Sequence, residues 1–143
     1  MLIVYEGQPV PKPRQTQQDK WIVRPEVARY RAYANDLCKV AMAARAGKAL
    51  ISAVSVECLF VMSFAKSTSK KIREQMAGQP FQQRPDVDNL GKAVMDALWP
   101  KDDSQIAEFY ALAIWDDGKG ARVMIRIYDH LQRQTINFNQ GEQ

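Results

Sequence analysis

Arg84-Pro85-Asp86-Val87-Asp88-Asn89-Leu90-Gly91-Lys92-Ala93-Val94-Met95-Asp96-Ala97-Leu98 begins as a turn and ends as a helix. Leu90, Val94 and Leu98 recur at every fourth position, the spacing of a buried helical stripe, so residues 88–98 are expected to be helical. Pro85 pushes the residue before it toward extended backbone. Asp86-Val87-Asp88 is then expected to be extended, with both carboxylates on one side and Val87 toward the core. Asp88 would be the helix N-cap, and Lys92 would stand one turn later on nearly the same face.

Five carboxylates (Asp86, Asp88, Asp96, Asp102 and Asp103) fall close together in a chain that is otherwise basic. Like charges so close repel, and a fold tolerates them when a cation binds there or water screens each one. Mg²⁺ suits such a place, because it takes oxygen ligands and keeps several of its waters. Asp102-Asp103 lies just before a strand expected from Gln105, so the chain can bring that pair back to the helix start. Local roles compete with this reading: Asp88 as a plain cap, and Lys92 as the i,i+4 partner of Asp88 or Asp96. A calcium loop is excluded, because Leu90 and Ala97 stand where that loop needs oxygen ligands.

Working outward, residues 2–6 read as a strand. Residues 7–24 hold Pro9, Pro11 and Pro13 among Lys12, Arg14 and Lys20, and are expected to be a non-helical arm, either a connector or a phosphate-contacting loop. A helix is expected over 25–46 with Val27, Tyr30, Ala34, Leu37, Val40, Ala41 and Ala44 as its stripe. Residues 51–63 alternate as a strand, and Leu59 and Val61 make it apolar on both faces, as an interior strand requires. Ser67-Thr68-Ser69 can cap a short basic helix over 70–76, a second candidate for phosphate contact. Strands over 105–115 and 121–128 flank Asp116-Asp117-Gly118, a hairpin-turn signature that makes those two aspartates turn residues. The tail from about 130 to 143 shows no periodicity and is expected to be loosely ordered. The element order argues for one α+β domain over 1–143, a mixed sheet packed with helices.

A chain of 143 residues is long enough for a core without staples. No apolar run approaches the roughly 20 residues that span a bilayer, and the start lacks the features of a signal peptide. Cys38 and Cys58 are expected to be free thiols in a reducing, cytoplasmic setting, and the lone His130 cannot organise a zinc site. The net charge of +4 is divided. Residues 1–85 carry fourteen Lys/Arg against six Asp/Glu, and residues 86–143 carry six against ten. A basic half joined to an acidic cluster suits a protein that grips a polyanion and works on it through a metal ion.

Arg84-Pro85-Asp86-Val87-Asp88-Asn89-Leu90-x-Lys92, then Asp96-Ala97-Leu98, then Asp102-Asp103-Ser104-Gln105-Ile106, resembles the RusA family of Holliday-junction resolvases. The resemblance is strongest over residues 84–128 and extends more weakly to the first strand and to the arm at Pro9-Val10-Pro11-Lys12-Pro13-Arg14. It implies a homodimeric, Mg²⁺-dependent endonuclease (Mn²⁺ substituting) that acts on branched DNA, chiefly four-way junctions, in recombination and repair. By position, it implies that Asp86, Asp88 and Asp103 are the metal-binding carboxylates and Lys92 the catalytic lysine. Asp102 becomes a further possible ligand, while Asp96 and Asn89 take supporting places. Lys12, Arg14, Lys20, Lys70, Lys71, Arg73 and Arg84 would hold DNA phosphates, with no part for a membrane. A broader flap or fork nuclease and a non-catalytic junction-binding protein are the rival readings.

Overall fold

The computed structural model describes residues 1–14, 16–45, 53, 55–101 and 103–132. Among them, strands β1 (Leu2–Glu6), β2 (Ser55–Met62), β3 (Glu108–Trp115) and β4 (Arg122–Tyr128) form one mixed sheet in the order β1-β4-β2-β3. Helices α1 (Pro25–Arg45), α2 (Lys70–Met76) and α3 (Val87–Leu98) complete the expected succession, and the fold is a single α+β domain. The expected loose tail falls mostly outside the described residues.

β2 is interior, as its apolar run on both faces requires. It pairs antiparallel with β4 and parallel with β3. Val56, Cys58, Phe60 and Met62 point from it into a core shared with Tyr33, Leu37 and Ala41 of α1 and Leu90, Val94 and Leu98 of α3. Tyr33 is a core residue that the expected stripe omitted, whereas Ala44 lies exposed. On the opposite face of the sheet, Leu59, Leu112 and Met124 line a shallow groove with Glu57 and Arg126. Both cysteines are free thiols, and burial pushes that of Cys58 up to about 12.

Two expectations change. The arm is not wholly free of helix: Gln17–Lys20 forms a 3-10 turn, because the prolines end at Pro13 and Thr16 with Asp19 makes a reciprocal cap. The residues after β3 turn the chain, but they do not join a hairpin. β3 runs parallel to β2 and β4 antiparallel to it, so β2 lies between them and the connection crosses the end of β2. Asp116 and Asp117 are turn residues as expected. Asp116 Oδ1 accepts from the amides of Gly118 (2.9 Å) and Gly120 (3.0 Å), both at positive φ. Asp117 binds the Arg122 guanidinium through both oxygens, at 3.0 and 2.9 Å, which holds its carboxyl well below the usual range.

Candidate active site

The helix of the opening motif begins one residue earlier than the sequence suggests. Asp86, not Asp88, is the N-cap: its backbone is extended, and its Oδ1 accepts from the Asn89 amide at 2.9 Å. Val87 is therefore the first helical residue and lies exposed, not turned into the core, and Asp88 falls in the first turn. Aspartate is preferred at a cap and stabilised anywhere in the first turn by the helix dipole, so either could have led the helix. The position of the apolar stripe decides, since Leu90 must be buried. The Arg84–Pro85 peptide before the cap is cis.

Gly91 allows α3 to approach the sheet. A Cβ there would lie 2.7 Å from the ring of Phe109 on β3, well inside van der Waals contact. With its apolar side seated, α3 turns Asp88, Asn89, Lys92 and Asp96 outward. Asn89 and Lys92 form one wall of an open cleft of about 400 Å³, and Lys12, Pro13 and Arg14 of the arm form the other. Lys12 reaches across to an ion pair with Asp96, which ties the arm to the helix. Lys92 makes no ion pair among the described residues, so the competing local role, a pairing with Asp88 or Asp96, does not form there.

The arm is held at a second point. Arg24 binds both oxygens of Asp19, at 2.7 and 2.9 Å, and donates to the Arg14 carbonyl at 2.6 Å. Asp19 also accepts from the Thr16 amide at 2.7 Å. The guanidinium, and after it the Thr16 amide, lower the Asp19 carboxyl to about 2. The sequence reading missed this clamp, although Thr16-x-x-Asp19 is a capping pattern.

The other expected residues are placed as follows. Trp99 ends α3 by donating its amide to the Met95 carbonyl at 2.8 Å, and the chain then runs through Pro100 to an exposed Asp103, whose carbonyl accepts from the Ile106 amide at 3.0 Å. Asp102 lies outside the described residues. Among the described residues no three acidic, His or Cys side chains stand together closely enough to hold a metal. Asp86 and Asp88 share one helix end, and Asp103 does not join them in a group of three. Their carboxylate oxygens are of the type that a hard cation takes, with waters to complete the shell. Lys20, Lys71 and Arg84 are exposed, and Lys70 stands 3.9 Å from Glu74. Arg73 is committed elsewhere: it donates to the carbonyls of Thr68 and Ala65, both at 3.1 Å, and lies over the Phe64 ring.

A family model described as endodeoxyribonuclease RusA matches residues 6–128, from the end of β1 through β4. The chain belongs to the RusA family. The match takes in the arm, the cleft and α3 together, so it covers both walls of the candidate site of this RusA-family protein. Neither the curated proteins nor the solved structures gave a match. Membership makes the protein an endodeoxyribonuclease of the Holliday-junction class. Among the described residues no helix is long and apolar enough to cross a membrane.

Proposed function

We propose that this protein resolves four-way DNA junctions by paired nicks in the presence of Mg²⁺, with Asp86 and Asp88 at the start of α3 as metal ligands, Asp103 and its neighbour Asp102 as the donors that would have to close on them, and Lys92 beside the scissile phosphate. One observation carries the reading. Lys92 and Asn89 face Lys12 and Arg14 across an open cleft, one helical turn from Asp86 and Asp88. A phosphodiester lying in that cleft meets cations from both walls, which gives affinity and fixes register without reading sequence. Lys92 sits on a rigid helix, and its ammonium can stabilise the negative charge that grows on the phosphate as water attacks. The cap hydrogen bond orients the Asp86 carboxylate before any ligand arrives. Bound Mg²⁺ (or Mn²⁺) would supply polarisation of the phosphate oxygen and a water of lowered pKa.

A nearly two-fold substrate cut in pairs calls for two sites related by symmetry, and a second copy of the chain provides them. The sheet face that carries the Leu59 groove suits that role. Its centre is apolar (Leu59, Leu112 and Met124) and its flanks carry charges of both signs, Glu57 and Arg126, which fits a protein surface better than a phosphate backbone.

The test is to map cuts on a synthetic four-way junction, with a flap and a linear duplex alongside. Symmetric nicks confined to the junction support the reading. Equal cutting of the flap replaces it with a broader nuclease. Tight junction binding with no cutting in either Mg²⁺ or Mn²⁺ removes the catalytic assignment.

A further inference from the structure

Trp21, Ile22 and Val23 are the most conspicuous apolar residues outside the core. Trp21 is 88% exposed, Ile22 67% and Val23 55%, three in succession at the end of the arm. Isolated exposed apolar residues are ordinary, but a run of three that includes a nearly bare indole marks a recognition surface. This run does not sit on a loose loop. The amides of Trp21 and Ile22 both donate to the Gln18 carbonyl, at 3.0 and 2.9 Å, and the Asp19–Arg24 clamp ties together the residues that flank the loop. The ring is therefore presented on a fixed support, so little ordering entropy is lost when it meets a partner.

The surroundings indicate the partner. Lys20 precedes the indole and is exposed. Arg24 behind it bonds the carbonyl of Arg14, and Arg14 lines the cleft with Lys12 and Lys92. A backbone lying in the cleft meets Arg14 and Lys92, and the exposed Lys20 stands beside the indole; Arg24, between Arg14 and the loop, is paired with Asp19 and Glu26 and serves as the structural link. Every base has a π-face that stacks on an aromatic ring whatever its sequence, and bases at a branch point are the ones most easily unstacked from their neighbours.

We infer that Trp21 is a base-stacking residue, packing against a nucleobase exposed at the branch point of the bound DNA, with Ile22 and Val23 lying against the same base step. It would select branched over continuous duplex, since an intact stack offers no free face. The inference rests on the junction-binding reading above and adds a specificity-determining contact to it.

The experiment places 2-aminopurine at successive positions around the crossover of a four-way junction, binds the protein in Ca²⁺, and compares the parent with Trp21→Ala and Trp21→Phe. The ring packs on nothing in the core, so both variants should keep the parent's melting temperature. For the parent, 2-aminopurine emission should change at one crossover position. Trp21→Ala should lose that change and bind the junction roughly tenfold or more weakly, with its linear-duplex affinity unchanged. Trp21→Phe should retain most of both. If Trp21→Ala binds the junction as the parent does and gives the same emission change, the stacking role is wrong. If Trp21→Ala shifts a dimer to monomer by light scattering, the ring belongs to an interface between copies, and the inference is equally lost. Failure of the parent itself to prefer the junction sinks the junction reading first, an outcome visible without any variant.

Discussion

Two aspartate-rich segments of this chain meet opposite fates. At the turn after β3, Asp116 and Asp117 are fully engaged by their own chain: amides of Gly118 and Gly120 hold one, and the Arg122 guanidinium holds the other. At the start of α3, Asp86 gives one oxygen to a cap, Asp88 has no partner among the described residues, and Asp103 lies exposed further on. The residue type is the same and the local crowding is similar. The difference is that the turn supplies donors for every carboxylate, whereas the helix start presents its charges to the solvent side of a cationic cleft. Under the proposed function, the carboxylates left without internal partners are the ones that would take the metal ion.

The largest effect that separates the two segments is on rate. Asp88→Asn, and likewise Asp86→Asn, should lower single-turnover cleavage of a four-way junction by about 10²- to 10³-fold with junction affinity largely kept. Asp116→Asn should leave that rate within a few-fold of the parent. A comparable loss at Asp116 would abolish the distinction. Next comes Lys92→Gln, for which a drop of about 10²-fold in the same assay is expected, again without loss of binding. A fall in affinity alone would make Lys92 a phosphate contact and nothing more.

Stability should divide the other way. Asp117→Asn breaks a bidentate, half-buried pair and should cost about 1 kcal/mol in urea unfolding, whereas Asp88→Asn should cost less than half of that. Gly91→Ala tests what seats α3. Its new methyl meets the edge of the Phe109 ring, which is partly exposed and can swing outward, so a loss of about 1 kcal/mol is expected. Truncating the ring in the Gly91→Ala, Phe109→Ala double variant should make the glycine change less costly than it is alone.

The smallest effect concerns a third engaged carboxylate, Asp19. Its folded value of about 2 lies below the ordinary value of about 3.9, so the clamp stabilises the arm fully above that ordinary value and loses its contribution as pH falls through about 2. Emission from Trp21, read as the difference between the parent and Trp21→Phe, should shift over that acid window. The Asp19→Asn protein should already show the shifted emission at neutral pH.

Much of the fold was legible because it is written in short-range periods. Leu90, Val94 and Leu98 declare a helix that buries one side, and Leu59 and Val61 declare a strand with neighbours on both edges. The crowding of the aspartates could be seen from composition and spacing alone. The placement of the cap could not be read so surely. Asp86 and Asp88 are equally good caps, and the choice between them rests on which register buries Leu90 against the sheet. The hairpin expected at Asp116-Asp117-Gly118 failed for a related reason. The turn chemistry was right, but which strand lies beside which is settled by β2 slotting between β3 and β4.

The sequence by itself therefore determined the strands and α-helices, their order and most of the buried stripes, since each depends on residues a few positions apart. Only the tertiary structure decided that the proline-rich arm lies along α3. That contact is made by Lys12 and Asp96, 84 residues apart in the chain, and it turns two unremarkable segments into the walls of one cleft. Long-range pairings of this kind leave no local period. They form when helix and sheet have buried their apolar faces and the polar edges that remain are brought side by side.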